Sequence, residues 1–287
     1  MQIKRTFAMD DEIANLTQAL AMIYDDMDED ERRIFFRTYS AKDLRTQVEG
    51  AITAQQARWV RRKKERAFRE TSLLVSREGR LYMAGKEDRG TGRLVAVVKR
   101  DRKVVVERYD DHVRKMYGSK RRLARAWRAH VVLAYMDLNI VPEAIYVEKP
   151  GRNAMGAIAM EDLKGKGEEL DRYLDRRYGA MTDKARRVFI DDLAAFFLTL
   201  VKRKITHRDL KGCNIFVRDG GGFVLLDVED IRFRALDEEA LKRMLVQLNT
   251  TMPKRIGNRD RLRFFVQFTS AMKVDKRAIF RVVVRDR

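Results

Sequence analysis

The chain has 287 residues, of which 62 are Lys or Arg and 43 are Asp or Glu, so its formal net charge is +19 at pH 7. This length allows two modest lobes with a hydrophobic core, and the excess positive charge favours polyanionic partners: nucleic acid, an anionic membrane surface or a phosphorylated substrate. A single cysteine, Cys213, excludes an intrachain disulfide framework, and no Cys/His group has zinc spacing.

Residues 1–70 are rich in charged residues and good helix formers, with no proline and one glycine, Gly50. Apolar residues recur at helical spacing through Leu16 and Leu20, which predicts a helical extension. Its basic end, residues 58–69, mixes Trp59 with many cations. We interpret this end as a solvated helix face, and contact with anionic membrane headgroups is the alternative.

From about residue 72 the sequence changes to short β-rich runs separated by glycine or charged turns, which predicts an antiparallel sheet. The predicted strands are residues 72–75, 80–84, 94–98, 103–109, 144–147 and 156–160. A basic helix is predicted over residues 120–133, between the fourth and fifth of these strands. A glycine-rich stretch, residues 85–92, connects the second and third.

Two further helices are predicted over residues 170–178 and 182–204, and Thr182 caps the second. The longest apolar stretch of the chain, residues 193–201, lies in this second helix and is too short to span a bilayer. The start of the chain lacks the apolar core of a signal peptide. We therefore expect a cytoplasmic protein, at most peripheral at the inner face of the cell membrane.

The long helix leads into the stretch HRDLKGCN, residues 207–214, and a second apolar run ends at Asp227. This spacing matches the protein-kinase catalytic-loop pattern HRDLxxxN with a metal-binding aspartate downstream. Phosphoryl transfer to a hydroxyl needs a carboxylate that accepts the proton, and Mg²⁺ ligands beside the ATP phosphates. We expect Asp209 to be the base. A hairpin through the glycine turn 220–222 would bring Asn214 and Asp227 together as the Mg²⁺ ligands.

The kinase pattern also assigns ATP-binding candidates upstream of the catalytic loop. Gly85, Gly90 and Gly92 lie where a glycine loop would let backbone amides approach the nucleotide phosphates, although an ordinary hairpin turn has the same composition. Glu161 begins the segment where a kinase hinge would hold adenine through backbone hydrogen bonds.

After Asp230 only about 57 residues remain, with helices predicted over residues 237–249 and 259–272 and a tail at the end. This is too short for the full helical lobe of a protein kinase. The predicted fold class is α+β, a two-lobed protein-kinase-like fold with a short C-terminal lobe and an N-terminal helical extension. The predicted domains are the extension (1–70), the N-lobe (71–162) and the C-lobe (163–287).

Several stretches resemble the bacterial lipopolysaccharide kinases, which phosphorylate Kdo or heptose of the inner core. They are VVVERYDD at 104–111, the helix RLARAWRA, NIVP at 139–142, the catalytic loop, and LLDVEDIRF at 225–233. The resemblance covers roughly residues 72–272. It implies transfer of the γ-phosphate of ATP to a sugar hydroxyl of an anionic glycolipid. It also implies that Asp209 is the base, that Asn214 and Asp227 hold Mg²⁺, and that His207 and Arg208 brace the loop.

One expected part of the site has no clear counterpart in the sequence. A kinase strand presents a lysine to the phosphates, paired with a glutamate of the next helix, but the corresponding position is Glu107 and the helix carries arginines (Arg122, Arg125, Arg128). Three interpretations stay open: a pair of inverted sign at Glu107, Lys99 reaching in from the neighbouring strand, or a shifted register that makes the residue Lys103.

Two other functions remain as alternatives at this point. Lys211, two residues after Asp209, is typical of a serine/threonine protein kinase and is a further candidate catalytic residue. The glutamate at position 107 favours a pseudokinase scaffold instead. Nucleic-acid binding through the basic surface is a weaker reading, because no aromatic-rich RNA-binding motif is present.

Overall fold

The computed structural model describes residues 2–21, 23–39, 44–151, 155–270, 272 and 274–285. The chain divides into two compact units, Met1–Arg62 and Lys63–Arg287. The first unit ends eight residues before the boundary that the sequence predicted for the extension. The predicted division of the remainder at residue 162 stays a prediction.

The first unit is helical, as the amino-acid pattern predicted. Its helices are α1 (Gln2–Leu20), α2 (Glu29–Thr38) and the greater part of α3 (Arg45–Arg66). Helix α2 begins with a capping box: Asp28 accepts a hydrogen bond from the Glu31 N–H, and the Glu31 carboxylate accepts one from the Asp28 N–H. Apolar side chains of the three helices and of the segments that connect them form one small core, which includes Leu20, Tyr24, Phe36, Leu44, Val48 and Ile52.

The second unit begins with a seven-stranded antiparallel sheet in the order β1-β2-β6-β7-β5-β4-β3. The strands are β1 (Leu74–Arg77), β2 (Arg80–Met83), β3 (Leu94–Arg100), β4 (Val104–Tyr109), β5 (Val113–Tyr117), β6 (Ala144–Glu148) and β7 (Gly156–Met160). Strand β3 is at one edge, and all seven of its residues are exposed.

Strand β5 was not predicted, although it lies in the interior of the sheet between β4 and β7. Its sequence, VRKMY, contains two cations and no continuous apolar run. The strand forms because its backbone pairs on both sides, which is a tertiary effect that overrides its weak local pattern.

Helix α4 (Lys120–Tyr135) packs on one face of the sheet, and Ser119 caps its start. Trp127 is fully buried there, and its indole N–H donates a hydrogen bond to the carbonyl oxygen of Ala67 at 2.6 Å. The other face of the sheet carries Tyr82 and Tyr146, both almost fully buried.

The remaining described residues are mainly helical and include five short strands. The helices are α5 (Leu170–Arg177), α6 (Asp183–Lys202), α7 (Glu238–Thr251), α8 (Asn258–Ser270) and α9 (Lys276–Arg285). The strands are β8 (Gly167–Glu169), β9 (Ile205–His207), β10 (Ile215–Arg218), β11 (Phe223–Leu225) and β12 (Ile231–Phe233). Among the described helices, none is both long and apolar enough to cross a membrane.

The C-terminal segment forms helix α9, where the sequence predicted only a tail. Ile279 and Val283 are four residues apart, so they lie on one side of this helix, and both are buried in the C-terminal core. This contact with the core explains why the segment is helical despite its three consecutive valines, which disfavour helix.

Candidate phosphoryl-transfer site

The predicted catalytic loop connects strand β9 to strand β10 and is held by helix α7. A single 3₁₀ turn, Gly212–Asn214, leads into β10. The Leu210 N–H donates to the side-chain oxygen of Gln247 at 3.1 Å, and the Gly212 N–H donates to the Thr251 hydroxyl at 2.9 Å. These bonds fix the loop backbone, so its side chains have defined positions.

His207 and Arg208 tie the loop to the segment that carries Asp227. The Nε2 atom of His207, a buried residue, lies 3.1 Å from the carbonyl oxygen of Leu226 and 3.3 Å from that of Asp227. The Arg208 guanidinium contacts the carboxylate of Asp230 at 2.6 Å, and the Arg208 N–H donates to the Asp230 carbonyl at 3.1 Å. Both residues therefore brace the loop.

The Asp209 carboxylate lies at the open side of the loop and is 39% exposed. Lys211 Nζ lies 2.8 Å from one of its oxygens and 3.1 Å from the other. The hydrogen bond and charge of Asp209 raise the pKa of Lys211 above its ordinary value. The side-chain amide of Asn214 donates to the Asp209 carbonyl at 2.7 Å, and the amide oxygen of Asn214 accepts only a long contact from the Cys213 thiol at 3.9 Å, which a stronger ligand could replace.

A hairpin brings Asp227 next to Asn214, as the sequence predicted. Strands β10 and β11 pair with Ile215 opposite Leu225, and the Leu226 N–H donates to the Asn214 carbonyl at 2.8 Å. Asp227 itself has a φ of +48°, in the left-handed region that costs a non-glycine residue about 1–2 kcal/mol. Such strain persists only where the surrounding contacts fix the residue, and it is frequent at functional sites.

The cation that contacts Asp227 is Lys115, from the unpredicted strand β5. Its ammonium lies 2.7 Å from an Asp227 oxygen and 3.1 Å from an oxygen of Glu229, and its side chain is only 14% exposed. Burial opposes the charge of Lys115, but Glu229 and Asp227 together raise its pKa above the ordinary value. Burial also opposes the charge of Asp227, and Lys115 lowers the pKa of that carboxyl.

Glu229 is the partner that holds Lys115 in place. Its carboxylate is almost fully buried and also contacts Arg122 of helix α4 at 3.2 Å and the Tyr117 hydroxyl at 3.4 Å. Lys115 is thus paired with a glutamate, but this glutamate follows Asp227 by two residues and does not come from the helix. One signal in the sequence could have indicated strand β5. Val113, Lys115 and Tyr117 lie at every second position just before the Ser119 cap, so they would share one face of a strand.

Of the three interpretations that the sequence left open, the pair at Glu107 lies away from the cavity described next, and Lys99 and Lys103 both line it. Glu107 lies 3.5 Å from Arg114 and accepts a hydrogen bond from Tyr109 at 3.1 Å, so it is not paired with an arginine of helix α4. Lys99 pairs with Asp101 at 3.4 Å and is well exposed. Lys99 and Lys103 both lie at the cavity described next, on the turn side of strands β3 and β4.

A cavity of about 280 Å³ opens between the sheet and the segment after β11. This volume is close to the lower end of small-ligand sites, roughly 300–1,000 Å³. Its lining residues are Lys99, Asp101, Lys103, Val104, Val106, Lys115, Tyr117, Arg122, Pro142, Met160, Leu226, Asp227, Val228 and Glu229. The cavity therefore combines apolar walls with lysines and the Asp227 carboxylate.

The predicted glycine loop does not line this cavity. The N–H groups of Gly90 and Gly92 donate to the Asp111 carboxylate at 3.0 Å and 3.1 Å. Gly90 has a φ of +77°, and a Cβ atom there would lie 2.5 Å from the Tyr146 ring. Gly85 also has a positive φ but open space around it. A phosphate-covering role for these glycines stays a prediction, and their amides already have a carboxylate partner.

Glu161, the predicted start of the hinge, directly follows the cavity residue Met160. Its N–H donates to the Glu143 carbonyl at 2.8 Å. Its carboxylate accepts two hydrogen bonds from Arg218, at 2.8 and 2.9 Å, and one from Lys166 at 3.0 Å. The bonds from Arg218, opposed by burial and assisted by Lys166, lower the pKa of Glu161 to about 2.

Among the described residues, no three His, Cys, Asp or Glu side chains are grouped so that they could hold a metal ion. The carboxylates that line the cavity are those of Asp101, Asp227 and Glu229, and Asp101 and Glu229 are paired with Lys99 and Lys115. Asn214 does not line the cavity, but the β10–β11 hairpin places it next to the segment that carries Asp227, so the donors considered for a metal are the Asn214 amide oxygen and the Asp227 carboxylate. Two hard oxygen donors suit Mg²⁺, which keeps several waters and binds one or two side chains together with substrate phosphates. The donor set therefore fits Mg²⁺ with a nucleotide, and it does not fit a cage formed by protein ligands alone.

Comparison with known proteins gives two kinds of match. The model of the lipopolysaccharide kinase (Kdo/WaaP) family matches residues 51–268. The solved structure of WaaP in complex with acyl carrier protein covers 68% of this chain and 86% of its own, with 15% identity and a TM-score of 0.50. The match to a co-crystal structure of WbdD and the kinase inhibitor LY294002 covers 65% of this chain and 44% of the WbdD chain, with 14% identity and a TM-score of 0.40. No curated protein matches the chain.

Proposed function

Because the chain belongs to the lipopolysaccharide kinase (Kdo/WaaP) family, we propose that it transfers the γ-phosphate of ATP to a sugar hydroxyl of the lipopolysaccharide inner core. Membership confirms the family predicted from the sequence and makes the chain an ATP-using phosphotransferase. The acceptor sugar, Kdo or heptose, is the part that belongs to the proposal. One observation best supports phosphoryl transfer at this site. Lys115, Asp227 and Glu229 meet at the cavity beside the fixed loop that carries Asp209.

In this proposal Asp209 accepts the proton of the attacking sugar hydroxyl. Its carboxylate is open to solvent, so an acceptor can reach it. Lys211 lies on the same carboxylate and would offset negative charge as the phosphoryl group approaches. Loop rigidity matters here, because phosphoryl transfer depends on positioning and electrostatic stabilisation more than on covalent chemistry.

Lys115 would bind the ATP phosphates, with Lys99 and Lys103 at the cavity rim as further cations. Glu229 orients Lys115 by its 3.1 Å contact and keeps it charged. The apolar part of the cavity, which includes Val104, Val106 and Met160, would receive the adenine.

Asn214 and Asp227 would hold Mg²⁺ through their side-chain oxygens. Bound Mg²⁺ would neutralise part of the phosphate charge. The Asp227 carboxylate, one oxygen of which contacts Lys115, and the amide oxygen of Asn214 are the groups that this chain supplies. The acceptor glycolipid is anionic, which agrees with the net charge of +19, and peripheral contact with an anionic membrane surface belongs to the same proposal.

The test is transfer of labelled γ-phosphate from Mg²⁺-ATP, with purified lipopolysaccharide core and a generic protein substrate offered in parallel. We expect label on the glycolipid only. In Asp209→Ala the transfer rate should fall by a factor of about 10²–10⁴, the usual contribution of a general base. The variant should still fold, because the Asp209 carboxylate is partly exposed. Label on the protein substrate would favour a protein kinase, and label on neither would favour a pseudokinase.

A further inference from the structure

Six cations lie beside the catalytic loop, on the side of Asp230. Two come from helix α4, one from the loop, two from strand β12 and the residue after it, and one precedes the sheet. We call this group the cationic cluster, and it consists of Lys64, Arg125, Arg128, Arg208, Arg232 and Arg234. Apart from Arg208, none of its members has a role in the phosphoryl-transfer site.

Packing brings these side chains together. Helix α4 lies against strand β12. The Lys64 ammonium is 4.7 Å from the ring centre of Phe233, which stands between Arg232 and Arg234 in the chain. The Arg128 guanidinium lies 5.9 Å from the Phe68 ring, four residues after Lys64. The fold therefore gathers cations from separate parts of the sequence into one surface.

The like charges of the cluster act on one another. Burial, and then the charges of Arg208 and Arg125, lower the pKa of Arg232, and the charge of Asp230 opposes this shift without reversing it. Burial, and then the charges of Arg232 and Arg128, lower the pKa of Lys64. Cations held this close repel one another, so the folded protein carries an unfavourable electrostatic energy at this position.

The protein offsets this repulsion only in part. Arg208 is paired with Asp230, but Arg232 donates to neutral groups, the carbonyl oxygens of Glu229 and Ile231 at 2.9 Å and 2.7 Å. The Nε atom of Arg125 is buried and has no hydrogen-bond partner. A buried donor without a partner costs about 1–3 kcal/mol. An anion between these groups would remove both costs.

We propose that the cationic cluster binds a phosphate group. A phosphate offers three strong acceptor oxygens, and the planar guanidinium groups of arginine match them with paired hydrogen bonds. Because Arg208 directly precedes Asp209, a phosphate bound here would sit beside the acceptor hydroxyl. A phosphate on the acceptor glycolipid is one source, which rests on the proposed function, and free phosphate has the same chemistry.

The first experiment measures phosphate binding without turnover. Inorganic phosphate is titrated into the full chain with the nucleotide cavity filled by Mg²⁺ and a non-hydrolysable ATP analogue. Lys64→Gln/Arg234→Gln should weaken binding about tenfold, since two charged hydrogen-bonding groups are removed. Arg121→Gln/Arg243→Gln, which removes two exposed arginines from helices α4 and α7, should change it less than about twofold. Equal weakening in both variants, or no saturable binding by the unaltered protein, would overturn the proposal.

The second experiment separates the two sources. The unaltered protein and Lys64→Gln/Arg234→Gln are compared on phosphorylated and enzymatically dephosphorylated lipopolysaccharide core. A rise of about tenfold in KM for the phosphorylated core alone assigns the site to the acceptor. Equal KM values on both cores, with the loss of phosphate binding found above, assign it to free phosphate. Absence of turnover by the unaltered protein would contradict the proposed function and leave the binding result standing.

Discussion

At the scale of single residues, Asp111 holds the glycine turn by accepting hydrogen bonds from the N–H groups of Gly90 and Gly92. Gly90 also lies against the Tyr146 ring on the sheet face opposite helix α4. The glycines at this turn thus permit a positive φ and a close approach to a side chain. This backbone geometry accounts for the glycines of the turn without any role in nucleotide binding.

We predict that Gly90→Ala destabilises the protein without weakening ATP binding. The positive φ costs alanine about 1–2 kcal/mol, and the contact with Tyr146 adds about 1–3 kcal/mol of overpacking. Gly85→Ala is the matched control, since Gly85 has a similar φ but open space around it. This variant should lose only the stability that the positive φ costs. Urea unfolding and nucleotide titration measure the two quantities. Loss of ATP affinity in both variants with unchanged stability would assign the turn to the phosphates.

At the scale of elements, strand β5 determines the electrostatics of the site. Because successive side chains of a strand point to opposite faces of the sheet, Lys115 and Tyr117 lie on the cavity side and Arg114 lies on the other. Glu229 is almost fully buried and depends on cations from two elements, Lys115 of β5 and Arg122 of α4. Removing one partner of such a pair leaves a buried charge, which is far more costly than removing both.

We predict that Lys115→Met lowers both ATP affinity and the free energy of unfolding, the latter by about 3 kcal/mol. The double variant Lys115→Met/Glu229→Gln should lose less stability than the sum of the single variants, by at least about 0.5 kcal/mol. Lys99→Met and Lys103→Met serve as controls, and we expect smaller losses of affinity. Additive stability losses would show that Lys115 and Glu229 do not depend on each other.

Helix α4 carries a buried histidine that should make the protein sensitive to acid. Burial, and then the charge of Lys115, lower the pKa of His130 to about 3, against about 6.5 in an unfolded chain. Between these values the unfolded state binds more protons than the folded state, so stability falls as the pH falls from about 6.5 to 3.

We predict that His130→Leu reduces this acid sensitivity. The Nε2 atom of His130 has no hydrogen-bond partner, and leucine removes the titrating group from this buried position. The free energy of unfolding, measured in urea from pH 7 to pH 4, should fall less steeply in the variant. Identical slopes would mean that the histidine does not contribute to the acid sensitivity.

At the scale of the whole molecule, Glu161 connects the sheet to the C-terminal part by accepting two hydrogen bonds from Arg218 of strand β10. The pKa of Glu161 is lowered to about 2 in the folded protein. This stabilisation is therefore complete above the unfolded value of roughly 4.3 and is lost as the pH falls towards 2.

We predict that Glu161→Gln loses stability at pH 7 but differs less from the unaltered protein as the pH falls below about 4. Unfolding free energies of the two proteins at pH 7, 5 and 3 provide the measurement. Asp219→Asn, an exposed carboxylate near the same strand, is the control and should show little effect at any pH. A gap between the two proteins that stays constant with pH would exclude the Arg218 contact as its cause.

The fold and the catalytic loop could be predicted because their signals are local. The residues from His207 to Asn214 form one contiguous pattern, and the hairpin that leads to Asp227 has its own glycine turn. The contact between Lys115 and Glu229 joins residues 114 positions apart, so no window of sequence contains it. The glycine turn was ambiguous for a different reason: the same composition suits a phosphate loop and a turn held by a carboxylate.

Among the strands that the structure describes, β3 ends the sheet with an unpaired edge, and its apolar residues Leu94, Val95, Val97 and Val98 are all exposed. An open apolar edge can pair with the same strand of another molecule and start aggregation. The net charge of +19 opposes this, because two copies repel each other. Dissolved salt screens that repulsion over about 10 Å at 0.1 M. The colloidal stability of the protein should therefore decrease as ionic strength rises, and its purification is best kept at low salt.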